Sequence, residues 1–83
     1  MNYTYKTQGT CSRKITFELD ENHIVKGLSF EGGCNGNLKG ISALAEGRKA
    51  EEVIPLLSGI TCGFKSTSCP DQLSKALKSA LEE

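Results

Sequence analysis

The apolar residues of this chain change their spacing once, at Gly32-Gly33, and that change limits the architectures open to it. Before the glycines, Ile15, Phe17 and Leu19 alternate with Lys14, Thr16 and Glu18, the period of a strand with one buried face. After them, Leu38, Ile41, Leu44 and Ala45 recur at helical spacing. Strands first and helices afterwards predict an α+β domain, a three-stranded antiparallel sheet with helices packed on one face.

The elements follow from the same pattern. Tyr3, Tyr5 and Thr7 alternate with Thr4 and Lys6 and run into Gln8-Gly9-Thr10, which predicts a short first strand and a turn. The second strand runs from Cys11 to Leu19 and turns at Asp20-Glu21-Asn22. The third runs from His23 to Glu31, with Ile24, Leu28 and Phe30 on one face and Gly27 and Ser29 on the other, closing a hairpin. A helix is expected between the cap residue Asn37 and the terminator Gly47. A second, short helix spans Glu51 to Leu57 despite Pro55, and Ser58 to Ser68 form a loop. The last helix opens with Pro70 in its first turn and Asp71 near its positive end. Its apolar stripe is Leu73, Ala76, Leu77, Ala80 and Leu81.

At 83 residues the chain holds a single domain, 1–83, without repeats or low-complexity segments. A domain of this size buries only about two thirds of the surface its unfolded chain exposes, so a staple besides the apolar core is expected. Ten basic residues balance ten acidic ones, which leaves no broad field for a phosphate backbone or an anionic membrane, so nucleic acid and membrane are not expected as partners. No stretch approaches the length of a membrane span, and Met1-Asn2-Tyr3 begins no charged and then apolar leader, so the expected compartment is cytoplasmic. There thiols stay reduced, and cysteines bind metal or do redox chemistry more often than they form permanent bridges.

The four cysteines are the expected staple. With the hairpin turn near Glu21, Cys11 falls opposite residues 31–32, and Cys34 lies just beyond at the same end of the sheet. Cys34 and Cys69 each precede a helix, where the dipole and free N–H groups favour a thiolate. Cys62 lies seven residues before Cys69 in a loop with Gly59 and Gly63, which lets a fourth sulfur reach the same point. The chain has no C-x-x-C, so convergence rather than spacing carries the expectation. It reads as a four-sulfur metal site at Cys11, Cys34, Cys62 and Cys69, with zinc favoured and an iron–sulfur cluster as the alternative. A redox-active thiol set and inert buried cysteines are the competing readings.

Other features carry less chemistry. His23, the single histidine, sits at the hairpin turn, about 30 Å from the cysteine end, and reads as an exposed turn residue. The Gly32-Gly33-Cys34-Asn35-Gly36-Asn37 turn lacks the Lys-Ser/Thr of a phosphate loop, and its glycines read as room for the backbone around Cys34. Lys75 and Lys78 beside Glu82 and Glu83 read as the solvated face of the last helix. No carboxylate pair forms a catalytic dyad, so no catalytic residue is assigned and the chain is not expected to be an enzyme on its own.

Thr67-Ser68-Cys69-Pro70-Asp71-Gln72 resembles the TSCPD family of small bacterial proteins, and the likeness extends over nearly the whole chain. A related domain lies near the C-terminus of adenosylcobalamin-dependent ribonucleotide reductases. The resemblance therefore implies an accessory module beside such an enzyme, in deoxynucleotide synthesis, with the reductase activity belonging to the larger companion. A more distant resemblance is to the IscU/NifU-type iron–sulfur scaffold, whose three cysteine positions Cys11, Cys34 and Cys69 match, with Gly33 before the second. Arg13 stands where that scaffold has an aspartate and Ser68 where it often has a histidine. Cys62 then supplies a fourth sulfur, which implies tighter, more structural binding than a transferable cluster needs. The expectation is thus an IscU-like α+β module with one structural zinc, docked on a larger enzyme. The alternatives are an iron–sulfur scaffold or carrier and a dithiol, Cys62 with Cys69, that reduces a partner.

Overall fold

The computed structural model describes residues 2–7, 12–32, 35–61 and 67–82. Three strands, β1 (Asn2–Lys6), β2 (Ser12–Leu19) and β3 (Val25–Gly32), are followed by three helices, α1 (Asn35–Ala45), α2 (Ala50–Leu57) and α3 (Cys69–Leu81). The strands form one antiparallel sheet in the order β1-β2-β3, so the α+β expectation is met. Register places Tyr3 opposite Phe17 and Tyr5 opposite Ile15, which sets both tyrosines on the face that carries the core. Tyr3 and Phe17 stack with ring centroids 5.4 Å apart. On that face Ile15, Phe17 and Leu19 are buried with Val25, Leu28, Leu73 and Leu77. α1 packs against β3, α3 against β2, and α2 against α3.

Two irregularities interrupt the β2–β3 ladder. Ser12 pairs with Gly32 but Lys14 with Glu31, which leaves Arg13 as an extra residue on β2. Thr16 pairs with Ser29 but Glu18 with Lys26, so Gly27 and Leu28 together oppose Phe17. Gly27 adopts φ 61°, the left-handed conformation such a bulge requires. The second bulge corrects the face expected for the third strand. Val25 rather than Ile24 is fully buried, while Ile24 is half-buried and bridges to Lys49. The reason is one of parity: in an unbulged ladder Leu19 would face Lys26, and the extra residue brings Val25 opposite it instead.

The start of α1 differs from expectation. α1 begins at Asn35, so Asn37 lies within it and does not cap it. Its first turn, Asn35-Gly36-Asn37, carries no apolar residue, and the apolar period marks only the part that meets the sheet. α2 runs through Pro55 to Leu57, as expected, with the proline near the end of a helix of eight residues. After α1 the chain returns antiparallel to β3: Val25 N–H donates to Arg48 O at 2.9 Å, Gly47 N–H to Val25 O at 2.9 Å, and Ala50 N–H to His23 O at 2.8 Å. The Glu46 carboxylate accepts from the N–H of Gly27 at 3.1 Å, satisfying a backbone group that the bulge turns out of the ladder.

Candidate functional site

α3 starts where it does because Ser68 leaves the helix with extended φ −152° and ψ 172°, and its Oγ accepts from Asp71 N–H. That bond is 3.2 Å long. Pro70 occupies the first turn, where no intrahelical N–H is needed. Cys69 is therefore the first residue inside α3 rather than the residue before it, and only 8% of its surface is exposed.

The residues around Cys69 form a buried polar clamp. Asp71, 5% exposed, accepts through Oδ2 from the Thr67 hydroxyl at 2.5 Å and through Oδ1 from Gly59 N–H at 2.7 Å. Gln72 Nε2 donates to Thr67 Oγ1 at 2.9 Å, and the Ser68 hydroxyl donates to Ile60 O at 2.6 Å. Lys75 Nζ, one turn along α3, stands 3.4 Å from Asp71 Oδ2. Gly59 follows the C-cap of α2 at φ 82°, which frees its N–H to point at the carboxylate. The Thr67 hydroxyl, then the Gly59 N–H, hold the Asp71 carboxyl below its ordinary 3.8 against the opposing effect of burial, and Lys75 adds to the lowering. Among the described residues no buried side-chain nitrogen or oxygen lacks a hydrogen bond.

Of the four cysteines, Cys11, Cys34 and Cys62 lie outside the described residues. Their sequence neighbours do not. Ser12 and Gly32, next to Cys11 and two residues before Cys34, are paired across β2 and β3. Ile60 and Ser68, two residues before Cys62 and one before Cys69, are joined by the serine hydroxyl. Tyr3, Leu19, Asp20, His23, Ala80 and Leu81 line one cavity, so the C-terminal end of α3 lies beside the hairpin turn. α3 is about 20 Å long, so its first residues lie well away from that turn. Ser12 and Gly32 lie at the end of the sheet opposite the turn, and Ser68 precedes the end of α3 that is remote from it. Among the described residues alone, no three His, Cys, Asp or Glu side chains are grouped as metal ligands.

The string Thr67 to Asp71 is thus a helix cap, a buried thiol and a loop clamp in one. A family model for the TSCPD domain matches residues 2–81. The chain belongs to that family. The TSCPD match takes in all three strands and all three helices. No curated protein and no solved structure matches this TSCPD chain. No described helix is long and apolar enough to cross a membrane.

Sequence reasoning placed Asp71 at the helix dipole and missed its place in the clamp. The i, i+4 spacing of Thr67 and Asp71 was a usable signal; the bond to Gly59, twelve residues away, had none. His23 is exposed, as the turn position implies, with φ 64°. Its Nδ1 lies 2.6 Å from Glu51 Oε2, a partner 28 residues away that no local pattern marks. The His23 contact is the main reason the Glu51 carboxyl sits below its ordinary 4.5.

Proposed function

We propose that this TSCPD domain is a small cytoplasmic metal-binding module in which Cys11, Cys34, Cys62 and Cys69 hold one zinc ion. Its role is to support a larger enzyme, by family likeness a ribonucleotide reductase. The observations that support the metal reading are two pairings of the cysteines' described neighbours: Ser12 with Gly32, beside Cys11 and Cys34 in sequence, and Ile60 with Ser68, beside Cys62 and Cys69. The donor set fits the ion, since four thiolates suit a closed tetrahedral zinc site. Bound zinc acts as a cross-link between the hairpin and two helix starts, so its binding free energy adds to folding.

Elemental analysis of the chain purified without oxygen tests this reading. The expected result is one zinc per chain, with each Cys→Ser variant losing metal and melting temperature together. A Cys62→Ser protein with unchanged metal and melting temperature overturns the four-ligand site, and iron with acid-labile sulfide replaces zinc by a cluster. Sedimentation of the domain with an adenosylcobalamin-dependent ribonucleotide reductase tests the partner. A joint boundary is expected, and two independent species overturn that assignment.

A further inference from the structure

We infer that β1 is an interaction edge and that its partner is β1 of a second copy of this chain, the two strands pairing antiparallel about Thr4 into one continuous sheet. The two edges of the sheet differ. Along β3 the outer edge is covered by the chain's own return, where Gly47, Arg48 and the Glu46 carboxylate take up the backbone of Val25 and Gly27. β1 has β2 on one side and, among the described residues, nothing on the other. It also lacks the usual guards of an edge. Its ladder with β2 is unbroken by a bulge, it holds no proline, and its single charge, Lys6, stands at one end.

The register fixes which backbone groups are open. Thr7 N–H donates to Arg13 O at 3.0 Å, so these two form a hydrogen-bonded pair, and by alternation so do Tyr5 with Ile15 and Tyr3 with Phe17. The N–H and C=O groups of Asn2, Thr4 and Lys6 therefore face away from β2. Two copies brought together antiparallel satisfy all of these groups in one register, with Thr4 opposite Thr4 and Asn2 opposite Lys6, which is a two-fold arrangement.

The side chains agree with that register. It sets Tyr3 of one copy opposite Tyr5 of the other in the closely spaced, non-hydrogen-bonded position, on the face that carries the core. α1 and α3 pack against β3 and β2, and on β1 both tyrosines stay half-buried, so the pairing covers rings that one copy leaves partly open. On the outer face Lys6 stands opposite Lys14 within the chain, a like-charge pair. In the dimer Lys6 of one copy lies beside Asn2 of the other, in the row that continues to Glu18, where Asn2, Thr4, Thr16 and Glu18 line a hollow. In-register parallel pairing would instead stack Lys6 on Lys6. Five residues a side make a small contact, at the transient end of interfaces, so the dimer depends on concentration.

Sedimentation equilibrium of the full chain, untagged and reduced, at up to about 1 mM tests the proposal. The mass is expected to rise with concentration from 8.9 kDa toward twice that value. Thr4→Pro removes an N–H that faces away from β2, so it is expected to abolish the rise while circular dichroism shows the chain still folded. Thr4→Lys and Thr4→Glu are each expected to stay monomeric, because the residue on the two-fold axis faces its own copy, and an equimolar mixture of the two is expected to recover the dimer mass. Unfolded variants cannot give that recovery, so the mixture decides should Thr4→Pro fail to fold. A mass that stays at 8.9 kDa throughout overturns the proposal, and a mixture that does not recover overturns it as well. A dimer that survives Thr4→Lys also overturns it, and places the contact elsewhere, such as the exposed Leu44 and Leu56.

Discussion

Replacing Asp71 by alanine tests whether the clamp holds the fold together as well as the loop. The substitution removes two bonds to a charged acceptor, from the Thr67 hydroxyl and the Gly59 N–H, each worth about 1.5–3 kcal/mol when buried. The Lys75 ion pair, exposed at the lysine, adds about 0.5 kcal/mol or less. Against this stands the relief of desolvating a carboxylate, so a net loss of about 3 kcal/mol is expected. In a small domain whose whole stability is about 5–15 kcal/mol, that is a large share. Urea unfolding followed by far-ultraviolet circular dichroism measures it, with wild type and variant under one metal condition. The pH dependence supplies an independent sign. Because the folded carboxyl sits below its ordinary 3.8, its contribution is complete above that value and is lost as pH falls through the lower, folded one. Alanine has no such limb, so the stability gap between the two proteins narrows on acidification. A neutral-pH gap under about 1 kcal/mol, or a gap that does not narrow, would refute the reasoning.

The bulge and the turn give two further tests. Gly27→Ala puts a side chain where φ is 61° and where a Cβ meets open space, so only the backbone cost of about 1–2 kcal/mol is expected in urea unfolding. A neutral result would show that the left-handed conformation is not maintained. His23→Ala removes the main cause of the lowered Glu51 carboxyl, and an NMR titration should show that group moving up toward 4.5. An unmoved Glu51 would mean that the 2.6 Å contact does not persist in solution.

Local pattern carried most of the architecture. Ile15, Phe17 and Leu19 alternate because one face of β2 is buried, and the stripe of α3 from Leu73 to Leu81 follows one helix face. Both are properties of a few consecutive residues. The bulge at Gly27 was illegible because glycine in a strand marks several kinds of irregularity, and only pairing with Phe17 decides which residues then face inward. The clamp was half legible for a similar reason. Thr67, Ser68 and Asp71 announce a helix start in any context, whereas their bonds to Gly59 and Ile60 exist only once α2 has docked on α3. As for the site, the hairpin register at the end opposite the turn was readable from the turn itself, and Ser12 pairs with Gly32 there, whereas Cys11, Cys34 and Cys62 lie outside the described residues.

The return of the chain along β3 has a mechanical consequence for α1. Gly47, Arg48 and Ala50 engage His23 and Val25 in antiparallel fashion, while the other end of α1 begins three residues after β3 ends at Gly32. Topologically the helix is the loop of an oversized hairpin, anchored at both ends to the strand it covers. It cannot swing off the sheet as a flap does. Detaching it means unzipping the bonds at Val25, so α1 and β3 open as one cooperative unit. α2 and α3, which pack on each other and are latched by Asp71, form the other half of the molecule.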